Sequence, residues 1–335
     1  MNNACDKFLI VSIYHLYFIS FSYSQDELTR LSIGFIQEET WRHLISEVPS
    51  FGEICVTEAN SKKAKQCIRF KRSEYGANLE ERLKPVPTSR KFIFPTSKLN
   101  NGAKIRNACF LPDDRLVLIS FNENCIYVCN KDGDKKKRIP LPFKPSDITL
   151  YDKHNIILAN GTRIQSFKTD SFTFGQHVSV VALNDVISSA NNQIAIRSPS
   201  GSISVMDIEG KLGRQIQTHS YGQISMDRFS RVYYSNNAKH EVHCFYPDGS
   251  HCCIYRHEDL KDPSGMTTDD LGNVYVAGHM SHNIHKISAQ GKRQEIILSS
   301  KDGINYPQRI AYNEKTHELL VINCEWRSVE IYQFK

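Results

Sequence analysis

An apolar strand entered from a polar turn recurs six times in this chain, and that recurrence restricts the fold more than any other feature. The copies are "PDDRLVLIS" at Arg115, "YDKHNIILA" at Asn155, "ANNQIAIRS" at Gln193, "DRFSRVYYS" at Arg231, "DDLGNVYVA" at Asn273 and "EKTHELLVI" at Glu318. Successive copies lie 40, 38, 38, 42 and 45 residues apart. A helical solenoid of that period would show amphipathic helices, whereas these units alternate apolar and polar residues. Short strands at such a period specify propeller blades.

Every unit continues into a further alternating run: "CIYVCN", "RIQSFK", "SISVMD", "EVHCFY", "NIHKIS" and "VEIYQF". Most of these runs then meet a tight turn such as "KDGD" or "PDGS", where the glycine supplies the positive φ that a strand reversal needs. Each unit therefore reads as a small antiparallel sheet. The sixth stops one strand short at "VEIYQFK", while "RKFIFP" stands alone before the first. Pairing Lys91–Phe94 with the last unit closes the ring and removes exposed sheet edges. The expectation is an all-β, six-bladed β-propeller over residues 92–335, preceded by a short α/β extension.

That extension divides into three parts. Residues 1–24 form an apolar leader whose run "FLIVSIYHLYFISFSYS" resembles the apolar region of a signal peptide, with Lys7 before it. A buried N-terminal segment and a mis-started reading frame are the competing readings, and the His, Tyr and Ser content makes it a poor membrane span. Residues 25–50 place Trp41, Leu44, Ile45 and Val48 on one face of a short helix ending at Pro49. Residues 51–91 form a basic linker with candidate strands at "FGEICV" and "QCIRF".

The formal charge of +6 is concentrated in that linker. Gly52 to Lys91 holds ten Lys and Arg against five Asp and Glu, whereas Phe92 to Lys335 carries 29 basic and 25 acidic residues. The ring is nearly balanced, so no DNA partner and no membrane partner are expected. The cluster Lys62, Lys63, Lys65, Arg69, Lys71 and Arg72 is the candidate for RNA binding or a localisation signal. None of the ten cysteines forms a C-x2-C pair, which excludes zinc ribbons and RING fingers within this chain. They read as free buried thiols of a reducing compartment, and the expected location is cytoplasmic, with secretion through residues 1–24 as the alternative.

The form "P-x-x-[I/M]-x-x-D-x-x-[G/H]-N-[V/I]-Y-V", clearest at Asp262 to Gly291, resembles the NHL repeat. With "SFGEICV", "KFIFP" and "YPQRIAYNEKTHELLVINCEWRSVEIYQF", it is similar to the NHL-bearing tripartite-motif (TRIM) ubiquitin ligases, especially the divergent members of molluscs. The resemblance implies an NHL/TolB-like propeller serving as the substrate-recognition end of a ligase. The family's RING, B-boxes and coiled coil have no counterpart in the sequence, so no catalytic residue, metal or cofactor is expected here.

In such a ring, the loops that enter inner strands and the loops between second and third strands share one face. That face would gather Lys104, Arg106, Lys144, Tyr221, Lys239, His240, His279, His282, Tyr306, Trp326 and Arg327, with Asp262 and Glu325 offsetting the positive charge. Aromatic anchors dominate binding energy, so the face reads as a site for a protein partner or ubiquitination substrate, with Trp326 foremost and RNA as the other ligand. The run "KDGDKKKR" falls on the opposite face, and "GHMSHNIH" lacks the carboxylate or thiolate a zinc site needs. An alternative function is a secreted, metal-dependent hydrolase or lyase propeller, whose channel would draw on Asn107, Asp147, Asp185, Thr267 and Arg309. The sequon at Asn160 matters only under that alternative.

Overall fold

In the computed structural model the chain divides into two units, residues 1–84 and 85–335. The structure describes residues 7–10, 18–23, 29–33, 52–56, 66–69 and 88–334, the last range without 162, 180–185, 199, 219–221, 290 and 292. In the first unit Lys7–Ile10, Phe18–Tyr23, Thr29–Ile33, Gly52–Val56 and Gln66–Arg69 form one sheet in chain order. Its pairings are antiparallel except between the third and fourth strands, which run parallel. The helix expected around Trp41 to Val48 lies outside the described residues.

The second unit consists of six four-stranded antiparallel sheets. Their inner strands are Ile105–Phe110, Asp147–Asp152, Ile187–Ala190, Ile224–Met226, Pro263–Thr268 and Arg309–Asn313, numbered here as blades 1 to 6. They touch in ring order, and blade 6 meets blade 1. The sixth blade borrows its outer strand from the front of the unit. Thr88–Pro95 pairs antiparallel with Ser328–Phe334, setting Phe92 opposite Ile331 and Phe94 opposite Val329. The closing strand is thus longer than the Lys91–Phe94 segment expected from sequence, and the ring closes as expected.

Alternation along the strands gives every blade two apolar faces, and six buried clusters fill the six gaps between neighbours. At the seam, Phe94, Leu118, Leu320 and Ile331 pack in one such cluster. A fully buried side chain of this kind contributes about 1.5–3 kcal/mol, so the closing strand is held by packing as well as by its ladder. The turn at Gly133 has φ +80°, and a Cβ there would stand 2.8 Å from the Phe94 ring. Glycine lets that turn lie directly on the seam.

The "KDGDKKKR" turn is consumed by local structure. Lys131 pairs with the buried Glu318 at 2.5 Å, and Lys136 donates to the carbonyls of Lys98 and Leu99 at 2.7 and 2.9 Å. Lys98 pairs with Asp134 at 2.8 Å. These contacts tie blade 1 to blade 6 and its closing strand.

Buried aspartates organise the turn after the inner strand in blades 4 and 5. Asp269 accepts from the N–H groups of Leu271 and Asn273, from the Asn273 side chain and from the Tyr275 hydroxyl, all at 2.8–3.1 Å. Asp227 does the same for Phe229, Arg231 and Tyr233, its partner Arg231 Nε lying at 2.7 Å. This is the physical content of the D-x-x-x-N-x-Y spacing: one carboxylate satisfies a whole turn that would otherwise bury unpaired donors.

Candidate functional site

Inner strands all run from the same face of the ring toward the other. Their entry loops, and the loops between second and third strands, therefore meet on one side, as the sequence implies. Two clusters stand out there. The first lies where blade 6 meets blade 1. Trp326 stacks on Phe121, with ring centroids 4.7 Å apart and planes 13° from parallel. Lys144 and Arg106 place their charges 5.0 and 5.8 Å from the Phe121 centroid. Trp326 holds a positive φ of 72°, and its carbonyl accepts from Ile105 N–H at 3.0 Å. The backbone thus fixes the indole over the seam, while Glu325 and Arg327 on either side are exposed. A flat aromatic pair with cations over one ring offers apolar area together with charge.

The second cluster lies between blades 4, 5 and 6. His240 and His282 occupy equivalent positions, each just before a third strand and each at positive φ. Each Nδ1 accepts a backbone N–H from the loop entering the next blade, from Asp262 at 3.0 Å and from Tyr306 at 3.1 Å. The Tyr306 ring meets His282 edge-on at 4.3 Å and His279 at 5.3 Å. Gln308 Nε2 donates to His279 Nδ1 at 3.1 Å. With Nδ1 occupied as an acceptor, His240 and His282 serve as staples between blades, and only their Nε2 edges face outward chemistry. His285 belongs elsewhere. It is fully buried, with Nδ1 2.8 Å from the Tyr255 hydroxyl and Nε2 3.3 Å from the Asp259 carbonyl.

The structure brings Lys104, Arg106, Lys144, Trp326 and Arg327 to one sector of the face, and Lys239, His240, His279, His282 and Tyr306 to the other. Tyr221 lies outside the described residues, as do Lys62, Lys63, Lys65, Lys71 and Arg72. Arg69 ends the strand Gln66–Arg69.

Inside the ring a channel of about 570 Å³ is lined by the inner strands and by the turns that follow them, such as Lys153, Asn191, Arg228 and Lys315. Side chains knit its wall. Ser188 Oγ accepts from Met226 N–H at 2.9 Å, Thr149 and Ser189 share a hydrogen bond of 2.8 Å, and Thr267 accepts from Tyr312 N–H at 3.3 Å. Asp147 accepts from the Asn107 side chain and from the backbone of Ile148 and Ile187. Burial pushes the Asp147 carboxyl above the usual range, although Arg309 works against it. Burial also lowers Arg309, with Asp147 opposing and Arg106 adding to the effect. Asp185, the other expected carboxylate, lies outside the described residues. With Asp147 already bonded and Arg309 nearby, this part of the wall is poorly suited to a resident cation.

Sequence reasoning missed Arg197, which is fully buried and whose guanidinium has no hydrogen-bond partner among the described residues. It also passed over a thiol cluster in blade 4, because it looked for C-x2-C pairs; the adjacent Cys252 and Cys253 were the available signal.

These features define a six-bladed β-propeller with a polar, aromatic loop face and a channel lined by its inner strands. No family profile matches the chain, and no curated protein matches it in sequence. Solved structures do match in fold. A virginiamycin B lyase from Staphylococcus aureus superposes with a TM-score of 0.54 at 13% identity, covering 74% of this chain and 100% of that one. A catalytically inactive variant of that lyase with quinupristin gives 0.53 at 12%, with coverage of 74% and 100%. A nidogen/laminin complex gives 0.51 at 15%, covering 63% of this chain and 85% of that one. At such identities the likeness establishes the fold alone. No helix among the described residues is long and apolar enough to cross a membrane.

Proposed function

We propose that this chain is a non-catalytic recognition propeller that binds a protein partner through the face carrying Trp326 and Tyr306. The observation that carries the reading is the Trp326–Phe121 stack, held over the seam by the backbone and flanked by Arg106 and Lys144. Rigid aromatics with adjacent cations are the residue types that supply most binding energy in protein interfaces. The NHL-like motifs support a tripartite-motif relative whose partner is a ubiquitination substrate. Half-buried and buried free thiols support a reducing, cytoplasmic setting.

The nidogen/laminin structure is a complex of a similar propeller with a protein, which is consistent with this reading. The lyase neighbours favour the enzyme alternative only in fold, and the Asn107–Asp147–Arg309 group supports a metal-dependent reaction less than an open carboxylate cluster would.

Affinity cross-linking with the full chain tests the reading. Partners captured by the wild type are expected to drop out with Trp326→Ala, at a cost of about 2 kcal/mol or more. They are expected to persist with Lys135→Ala on the opposite face. Retention of every partner by a chain carrying Trp326→Ala, Tyr306→Ala and Arg327→Ala together would refute the face. If RNA is the ligand, binding falls steeply with salt and is lost when residues 61–72 are deleted.

A further inference from the structure

We infer that blade 4 contains a binding site for a soft, thiophilic metal ion, formed by the sulfurs of Cys244, Cys252 and Cys253. The three Sγ atoms all lie within 4.8 Å of one another. Three sulfurs at the usual zinc–thiolate length of about 2.3 Å stand roughly 3.8 Å apart in a tetrahedron, and about 4.0 Å apart in a plane. Closing the present trio onto one ion therefore requires shifts of about 1 Å at most.

The register explains how adjacent residues come to share a side. Cys244 lies opposite Cys253, yet the next pair is Phe245 with His251, so Cys252 is an extra residue in the outer strand. Neighbours on a regular strand point to opposite faces, and a bulge re-aims one of them. Blade 3 has the same irregularity, with Val205 opposite Arg214 and Met206 opposite Leu212, and there the extra residue is Gly213. The bulge belongs to the architecture; the cysteines placed at it belong to blade 4.

The surroundings suit a thiolate-bound cation. Cys244 is buried, while Cys252 and Cys253 are half-buried and reach the edge of the gap between blades 4 and 5. Gly291 in the facing turn would set a Cβ 3.2 Å from Cys253 Sγ, so that turn lies over the sulfur without a side chain of its own. Arg231, which is 4% exposed, is anchored to Asp227 and to the Ala289 carbonyl at 2.7 Å each, and its second terminal nitrogen has no hydrogen-bond partner among the described residues. Hydrogen bonds from Cys244 and Cys252, together with Arg231, outweigh burial and bring the Cys253 thiol down to about 6. A hydrogen bond to Cys253, together with burial, pushes Cys244 up. Each thiol that still carries its proton releases it to solvent as the ion arrives. No histidine or carboxylate completes a four-ligand set among the described residues, which favours three-coordinate Cu(I) or an ion that keeps one exchangeable position.

The test uses the full chain, reduced with a thiol-free reductant and titrated with Cu(I) and, as a spectroscopic probe, Cd(II). One ion per chain is expected, with a thiolate-to-metal absorption band in the near ultraviolet. Cys253→Ser and Cys252→Ser should each weaken binding by more than about tenfold. Cys324→Ser, in blade 6, should leave it unchanged. Because Cys252 is half-buried, its variant remains informative if Cys244→Ser fails to fold. Failure of the reduced wild type to retain either ion would overturn the assignment. So would unchanged affinity in both Cys252→Ser and Cys253→Ser, or a Cys244–Cys253 disulfide that persists under the reductant.

Discussion

Blades 4 and 5 solve the same local problem as blade 2 by different means. Each inner strand must turn sharply into the second strand, leaving backbone donors at the corner. In blades 4 and 5 a buried carboxylate, Asp227 or Asp269, takes up those donors together with a tyrosine hydroxyl. In blade 2 the corresponding Asp152 is half-exposed and bonds His154 N–H and the Asn155 side chain where water also competes. Blade 3 places Asn191 at that corner, and its side chain donates to the Arg228 carbonyl of the neighbouring blade instead. A buried organiser forces a recognisable spacing on the sequence, whereas an exposed one leaves the sequence free to drift.

Substitutions that remove these organisers measure the contrast. Asp227→Ala leaves Arg231 buried without its carboxylate, and urea unfolding is expected to show a loss of about 3–5 kcal/mol. A pH series follows in size. Burial holds His285 down to about 4 from 6.5. Its folded pKa lies below the unfolded value, so the unfolded chain binds the extra proton and stability falls as pH drops from 6.5 toward 4. The loss attributable to this group is about 3 kcal/mol, and His285→Gln should flatten the slope in that window. An unchanged slope would show that blade 5 opens before His285 is charged.

Asp269→Ala strands several donors and should cost about 2 kcal/mol. Asp152→Ala should cost no more than about 0.5 kcal/mol. If the blade 2 substitution matched the blade 5 one, the contrast between buried and exposed organisers would be void.

Much of the ring was legible because propeller blades repeat their alternation, and Phe92 and Phe94 announced the closing strand by having no blade of their own. The face was legible in outline, since loop order alone assigns Trp326, Tyr306 and the histidines to one side. What the sequence did not disclose were relations between loops. His240 and His282 read as partner-binding residues of the face, and only the positions of Asp262 and Tyr306 in space reveal them as acceptors for backbone donors. Likewise, nothing in the local pattern around Cys252 states that a bulge falls there, because bulges are set by pairing with the neighbouring strand.

The borrowed outer strand of blade 6 has a consequence for biosynthesis. Thr88–Pro95 leaves the ribosome long before Ser328–Phe334, its partner in the ladder. At about 5–20 residues per second, the interval is roughly ten to fifty seconds. Throughout that time the nascent arc presents two unpaired margins, and a chaperone or partner able to cover them would have its opportunity only while translation is under way.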